Sequence, residues 1–470
     1  MLDPATRLTD EALGLARELH GAGSAEVAHA LLAQAELTIR RGNMEAAVSQ
    51  GRQALAALAA LRTAPAEALA QAHALLGNAL DQLGQNSASL AELQTALQLL
   101  RDARSTSVQR SRAAFYLARP FENKGDLAAA EALYLEGLAA ARQNFGPSSF
   151  ILAFGEENYA DLLRQQGRLD EARQHLQTAL DVYTAVLGPR HLNVAGVHYY
   201  QGLVLAAMGE RAQAVLAMAQ AIAVSDEVAG PYHRSYGGLF RAKRALLLLD
   251  MGRLAEARAV ADAWMQHWPA GSPERAQVMH WLGLGYGRLL IAQGDLATAR
   301  AVLDEVDGAL IQRASHPRTA VQRSRWLALK AQLLLAGGKP TAAQALLAPV
   351  FNPGGLQAPL GDFDGALDLL WAWVQTQPSA AQARQALDAW AALGSTAHYG
   401  QLDVEHQAQL DLTVGRLQQL AGDSAAARPL LARALALRTR IDDPASPWLA
   451  QARRALAGLD APPGALSARR

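Results

Sequence analysis

The chain has no cysteine in 470 residues, which removes disulfides, thiolate metal sites and cysteine nucleophiles together. Charge is sparse and balanced: 43 Lys and Arg stand against 43 Asp and Glu, 18% of the residues in all. There is no basic excess to hold a phosphate backbone, so a nucleic-acid partner is not expected, and there is no acidic solvating tail. Long apolar runs are also missing. "ALLLL" at 245–249 is far short of the ~20 residues that cross a bilayer, so no membrane partner is expected. The opening "MLDPATRLTDEALG" has no basic segment leading into an apolar stretch, and a cytoplasmic location is the expectation. Alanine fills the space that charge leaves. It is the strongest helix former and lets helices approach closely.

A comb of glycines runs along the chain. Gly42, Gly84, Gly125, Gly167, Gly209, Gly252 and Gly294 are separated by 42, 41, 42, 42, 43 and 42 residues, and each is followed five residues later by Ala or Ser. Gly338 follows 44 residues on, Gly422 lies 84 beyond that, and the skipped tooth falls near Pro378. Pro147, Pro189, Pro231, Pro273, Pro317 and Pro359 form a second comb with steps of 42, 42, 42, 44 and 42. Proline starts helices well and interrupts them badly, so the prolines mark junctions between hairpins and the glycines mark the turn within each. Leu169, Ala172, Leu176, Ala179 and Leu180 form one apolar face at helical spacing, and no run has strand alternation. One helix–turn–helix per fixed period is the pattern of a solenoid.

Gly167, Ala172 and Ala179, with "ENYADLLRQQG" (157–167) and the linkers "FGPSSFILA" (145–153) and "LGPRHLNVA" (187–195), resemble the tetratricopeptide repeat in its kinesin-light-chain-like 42-residue variety. The resemblance covers about residues 21–458. It implies an all-α fold, a right-handed α-solenoid (superhelix) of about ten helix hairpins whose first helices line a concave groove. It also implies a non-catalytic scaffold that binds a peptide or protein partner without a cofactor. The array is similar to tetratricopeptide regions of bacterial signalling proteins. A sensor or regulatory region belonging to a larger kinase or transcriptional regulator is therefore the alternative.

The expected layout is a half repeat or capping helix at 1–20, repeats one to eight at 21–351, an irregular loop at 352–363, and repeats nine and ten with a closing helix at 364–458. A disordered tail follows at 459–470. "ALGLARELHGAGSAEVA" (12–28) aligns without gaps with "ALDVYTAVLGPRHLNVA" (179–195), so the chain opens in the second helix of a repeat. The expectation is a truncated array, with Leu8, Leu15 and Leu19 lacking a packing partner and self-association possible through the incomplete repeat. Three further departures stand out. Gln201, Arg244 and Lys330 replace large apolar residues, Trp264 and Trp390 replace small ones, and "NPGGLQAPLGDFDG" (352–365) suggests an interruption or bend.

Catalytic motifs are wanting. "GLGYGRLL" (283–290) has glycines at alternate positions but no preceding strand, and close helix packing explains it better than a phosphate loop. "GDFDGALD" (361–368) lacks the ligand set of a calcium loop, which leaves Asp364 as a helix N-cap. His191 and His198, or His398 and His406, do not have metal-motif spacing. All eight tryptophans lie at or after residue 264, and Trp264, Trp268 and Trp281 form a candidate cluster.

The remaining candidate is the groove. In the resembled family, positions thirteen, ten, six and three before the turn glycine face it. They select Arg112, Phe115, Arg119 and Glu122; Phe154, Glu157, Asp161 and Arg164; and Tyr199, Trp281, Arg288, Arg325, Gln409 and Arg416. Aromatic residues beside arginine suit a peptide, through flat apolar area and forks for carboxylates. Arg119, Arg288 and Arg416 share one slot.

Overall fold

The computed structural model describes residues 2–40, 42–230, 237–268, 272, 275, 279–312, 317–351, 363–392, 402, 404–442, 444 and 446–459. Among them are α-helices and short 3₁₀ and π turns, with no strand. Most of the expected loop at 352–363, and all but the first residue of the expected tail, lie outside the described residues, as does the side chain of Asp364.

The helices pair as hairpins. After α1 (Leu2–His20) come α2 (Ala25–Arg40) with α3 (Met44–Ala59), α4 (Ala66–Gln82) with α5 (Asn86–Asp102), and α6 (Val108–Asn123) with α7 (Leu127–Phe145). Next are α8 (Phe150–Gln165) with α9 (Leu169–Leu187), α10 (Leu192–Ala207) with α11 (Arg211–Ala229), and α12 (Gly237–Asp250) with α13 (Leu254–Met265). A π turn, Met279–Gly283, then leads into α14 (Leu284–Ala292), which pairs with α15 (Leu296–Gln312). Then come α16 (Pro317–Ala336) paired with α17 (Pro340–Leu347), α18 (Phe363–Gln375) and α19 (Ala380–Ala392), and α20 (Val404–Ala421) paired with α21 (Ser424–Ile441); α18 packs mainly on α16, and α19 on α20. Helix α22 (Pro447–Ala457) follows the last pair. This is the all-α solenoid that the combs predict. The chain divides into two compact units, Met1–Pro189 and Arg190–Arg470.

The turn after α8 shows why the glycines recur. Gly167 has φ +75°, and its N–H donates to the Arg164 carbonyl at 3.0 Å while Arg168 N–H donates to the Leu163 carbonyl at 2.9 Å. These bonds satisfy carbonyls that the helix end leaves open, and the left-handed backbone they need strains any residue with a Cβ. Five residues on, Ala172 is fully buried against the partner helix, as are its counterparts in the other hairpins, Ser89 included. At the skipped tooth the left-handed residue is Gln377, with φ +55°. It stands one position before the place of the missing glycine, and Pro378 after it has no N–H to make the second bond of the Gly167 turn.

The two tryptophans in small-residue positions are both buried. Trp264 fits because Gly238 faces it: a Cβ there would lie 2.3 Å from Trp264 Cη2. Trp268 lies 6.4 Å from Trp264, ring centre to ring centre, which makes two members of the candidate cluster neighbours. The alternate glycines of 283–290 are helical and serve packing. Cβ atoms at Gly283, Gly285 and Gly287 would lie 2.5, 2.9 and 3.0 Å from Val306, Leu246 and Leu303. The unexpected Lys330 lies over the Trp326 ring, its Nζ 4.5 Å from the centre.

Candidate interaction surface

In the unit Met1–Pro189, first helices touch their successors directly: α2 packs on α4, α4 on α6 and α6 on α8. Each second helix instead packs against the first helix of the next hairpin, α3 on α4, α5 on α6 and α7 on α8. First helices thus form a continuous inner layer with one face in common. Polar side chains cross it from hairpin to hairpin. Arg112 on α6 reaches Glu36 on α2 at 3.5 Å, and Arg119 reaches Asp81 on α4 at 3.7 Å. Asn123 donates to Asp81 at 3.1 Å, and Gln165 on α8 donates to Glu122 at 3.4 Å and to Asp161 at 3.3 Å. Arg164 holds Asp161 at 2.7 Å. Phe154 lies partly exposed among these groups, 6.2 Å edge-on from Tyr116.

The position ten before the turn glycine departs from the groove expectation. Phe115 is 1% exposed, stacked 6.2 Å from Tyr134 and tilted 6.0 Å from Phe154, and Tyr199 is buried 4.9 Å from Phe240. Both are core residues. Ala74, Ala242, Ala328 and Leu412 hold the same slot and are buried too. The slot lies at the middle of the first helix, where neighbouring helices close over it. Glu157 shares this fate: it is 9% exposed and accepts a hydrogen bond from the buried Tyr183 hydroxyl at 3.1 Å. Burial, opposed by that bond and reinforced by nearby Asp161, pushes its carboxyl up to about 8. Burial likewise pushes Glu122 up to about 7, with Asp161 adding to the rise and Arg119 opposing it.

The arginines of this face are therefore engaged by carboxylates, and the surplus is acidic. With Glu157 withdrawn into the core, Glu36, Asp81, Glu122 and Asp161 stand against Arg112, Arg119 and Arg164, four against three. Pairing arginine with acid on the adjoining helix is legible only once those helices are known to touch.

In the unit Arg190–Arg470 the last hairpin returns to the earlier ones, an arrangement that no local pattern announces. Arg211, at the start of α11, is 3% exposed and bonds Asp442 at 2.7 Å and Glu405 at 2.6 Å. The Ser446 hydroxyl donates to the Asp442 carboxylate at 2.9 Å and lies 3.3 Å from the Asp250 carbonyl. Arg438 lies 3.5 Å from Asp442 and donates to Gln409 at 3.0 Å. Arg288 pairs with Asp250 at 2.9 Å and lies over the Trp448 ring, 5.1 Å from its centre. Arg211, Arg288 and Arg438 balance Asp250, Glu405 and Asp442, three charges against three. Burial opposes the charge of Arg211, but Glu405, Asp250 and Asp442 outweigh it and hold the guanidinium more firmly cationic.

Two groove candidates of this unit, Arg288 and Gln409, are thus consumed by its own closure. Arg325 lies 4.0 Å from Asp368. Among the described residues Arg416 meets no carboxylate; it donates to Gln419, and burial lowers its pKa. The side chain of Trp281 lies outside the described residues. Nor do the described residues include a group of three or more His, Asp or Glu able to hold a metal ion. His191 caps α10, its Nδ1 accepting from Asn193 N–H at 3.1 Å, and His198 Nδ1 lies 3.0 Å from Gln201 Oε1. No helix among them is long and apolar enough to cross a membrane.

Residues 152–227 match the tetratricopeptide repeat family. That span covers α8 to α11, and the same hairpin recurs on either side of it. The chain thus contains tetratricopeptide repeats within this span, repeats that serve in general as interaction scaffolds. Among solved structures it is similar to BtubC (BKLC) from P. vanneervenii, with 20% identity over 49% of this chain and 92% of that one and a TM-score of 0.40. It is also similar to the apo form of RapI, with 15% identity over 61% and 98% of the two chains and a TM-score of 0.44. A third is a Rap protein complexed with competence and sporulation factor, with 15% identity over 71% and 82% and a TM-score of 0.45. No curated protein matches the sequence.

Proposed function

We propose that the chain is a non-catalytic scaffold whose inner face of α2, α4, α6 and α8 binds a peptide segment carrying a basic side chain. The observation that carries this reading is the acidic surplus: Glu122 and Asp161 lie on adjacent first helices, bridged by Gln165, without enough arginine to neutralise both. A lysine or arginine entering there supplies the missing charge, and the partly exposed rings of Phe154 and Tyr116 offer apolar area beside it. Spaced contacts on a rigid layer let an extended partner lose its conformational entropy once for several repeats.

The reading has a pH signature. A bound cation lowers the Glu122 carboxyl from its raised value, so binding releases protons and strengthens as pH rises through about 7. Affinity capture should compare the chain with a Glu122→Gln/Asp161→Asn variant. The expected result is that partners recovered by the chain at pH 8 fall away at pH 6 and are lost with the variant. Equal recovery by both proteins would refute the assignment.

A further inference from the structure

Helix α1 buries one side and leaves the other bare. Leu13 and Ala16 pack on α2, whereas Leu8, Leu15 and Leu19 are 66%, 56% and 73% exposed. Together with exposed Ala12 they fall four, three and four residues apart, which sets all four on one narrow stripe. The middle of the stripe is a face on which this fold packs a helix. Helix α1 is in register with α9, and the counterparts of Ala12 and Leu15 there, Ala179 and Val182, are buried in the α8–α9 hairpin. At the ends of the stripe His175, the counterpart of Leu8, meets Glu156 on α8, and Val186, the counterpart of Leu19, stays exposed.

We infer that α1 of a second copy covers this stripe, with the two helices antiparallel. The stripe is its own complement. About a two-fold axis between residues 13 and 14, Leu8 meets Leu19 of the second copy and Ala12 meets Leu15 of the second copy. The charges beside the stripe select the direction. Arg7 and Glu18 lie on the same flank, so antiparallel helices set Arg7 of each copy near Glu18 of the other. Parallel helices carry the Arg7–Glu18 flanks of the two copies to opposite sides of the seam and leave these pairs unmade. This surface is separate from the inner face of the first helices, and its test is independent of peptide binding.

Analytical ultracentrifugation of the 470-residue chain at micromolar concentration should give twice the chain mass. Leu15→Asp should return it to the single-chain mass without loss of helical circular dichroism, because the side chain is already exposed. The cysteine-free sequence allows a test of register. Under mild oxidation Leu8→Cys chains mixed with Leu19→Cys chains should cross-link, and neither should do so alone. A single-chain mass for the unmodified protein, a dimer that survives Leu15→Asp, or Leu8→Cys cross-linking to itself as well as in the mixture would each overturn the inference.

Discussion

Glu157→Gln probes the inner layer most directly. The wild-type carboxyl is buried and accepts one hydrogen bond from Tyr183, and its pKa rises from 4.5 to about 8, a difference of about 3.5. A folded state that binds a proton more tightly than the unfolded chain loses stability as pH climbs between those two values and levels off above the higher. At about 1.36 kcal/mol per pKa unit the full effect is on the order of 5 kcal/mol. Local relaxation and water entry bring the expected loss to about 2–4 kcal/mol. Glutamine keeps an acceptor for Tyr183 and cannot ionise, so the variant should match wild type near pH 5 and exceed it by that margin at pH 9. Urea unfolding followed by circular dichroism measures the difference. Tryptophan fluorescence provides a control, because every tryptophan lies at or beyond residue 264, in the other unit. A variant that loses stability with pH as steeply as wild type would show that Glu157 is solvated, and the argument for a tightly closed mid-helix slot would fail with it.

Other substitutions test the packing and the closure. Arg211→Leu strands Asp442 and Glu405 and should destabilise the unit Arg190–Arg470 by roughly 3–5 kcal/mol, less at acidic pH where the carboxylates are protonated; denaturant midpoints at two pH values check this. Gly238→Ala drives a Cβ into Trp264 and should lower stability by about 1–3 kcal/mol in urea unfolding, with Trp264→Leu restoring part of the loss. Gln377→Gly relieves a left-handed backbone and should raise the thermal midpoint, by an amount equivalent to about 0.5–1 kcal/mol. Ser89→Ala removes a buried hydroxyl that has no hydrogen-bond partner among the described residues, and should be neutral or stabilising by up to about 1 kcal/mol in the same scan.

The groove candidates divide into partly exposed and buried side chains, for a reason visible in two slots. Arg112, Phe154, Arg119 and Asp161 remain partly exposed on the inner layer, as their spacing from the turn glycine implies. Phe115 and Tyr199 lie at nearly the same angle around their helices but at mid-length, where aromatic rings from adjoining helices cover them. Helical periodicity encodes angle around one axis and carries no information about how closely the next axis passes.

Turns and hairpins are local, and residues alone decide them. A glycine that tolerates positive φ, with a small residue five positions later, makes the same bend in each unit whatever surrounds it. Long-range pairing is different in kind. That Arg211 finds Asp442 across 231 positions, or that Arg119 meets Asp81 on the preceding hairpin, depends on small rotations accumulated from hairpin to hairpin. No single repeat contains that sum, so only the assembled helices decide which charges are consumed internally and which stay available to a partner.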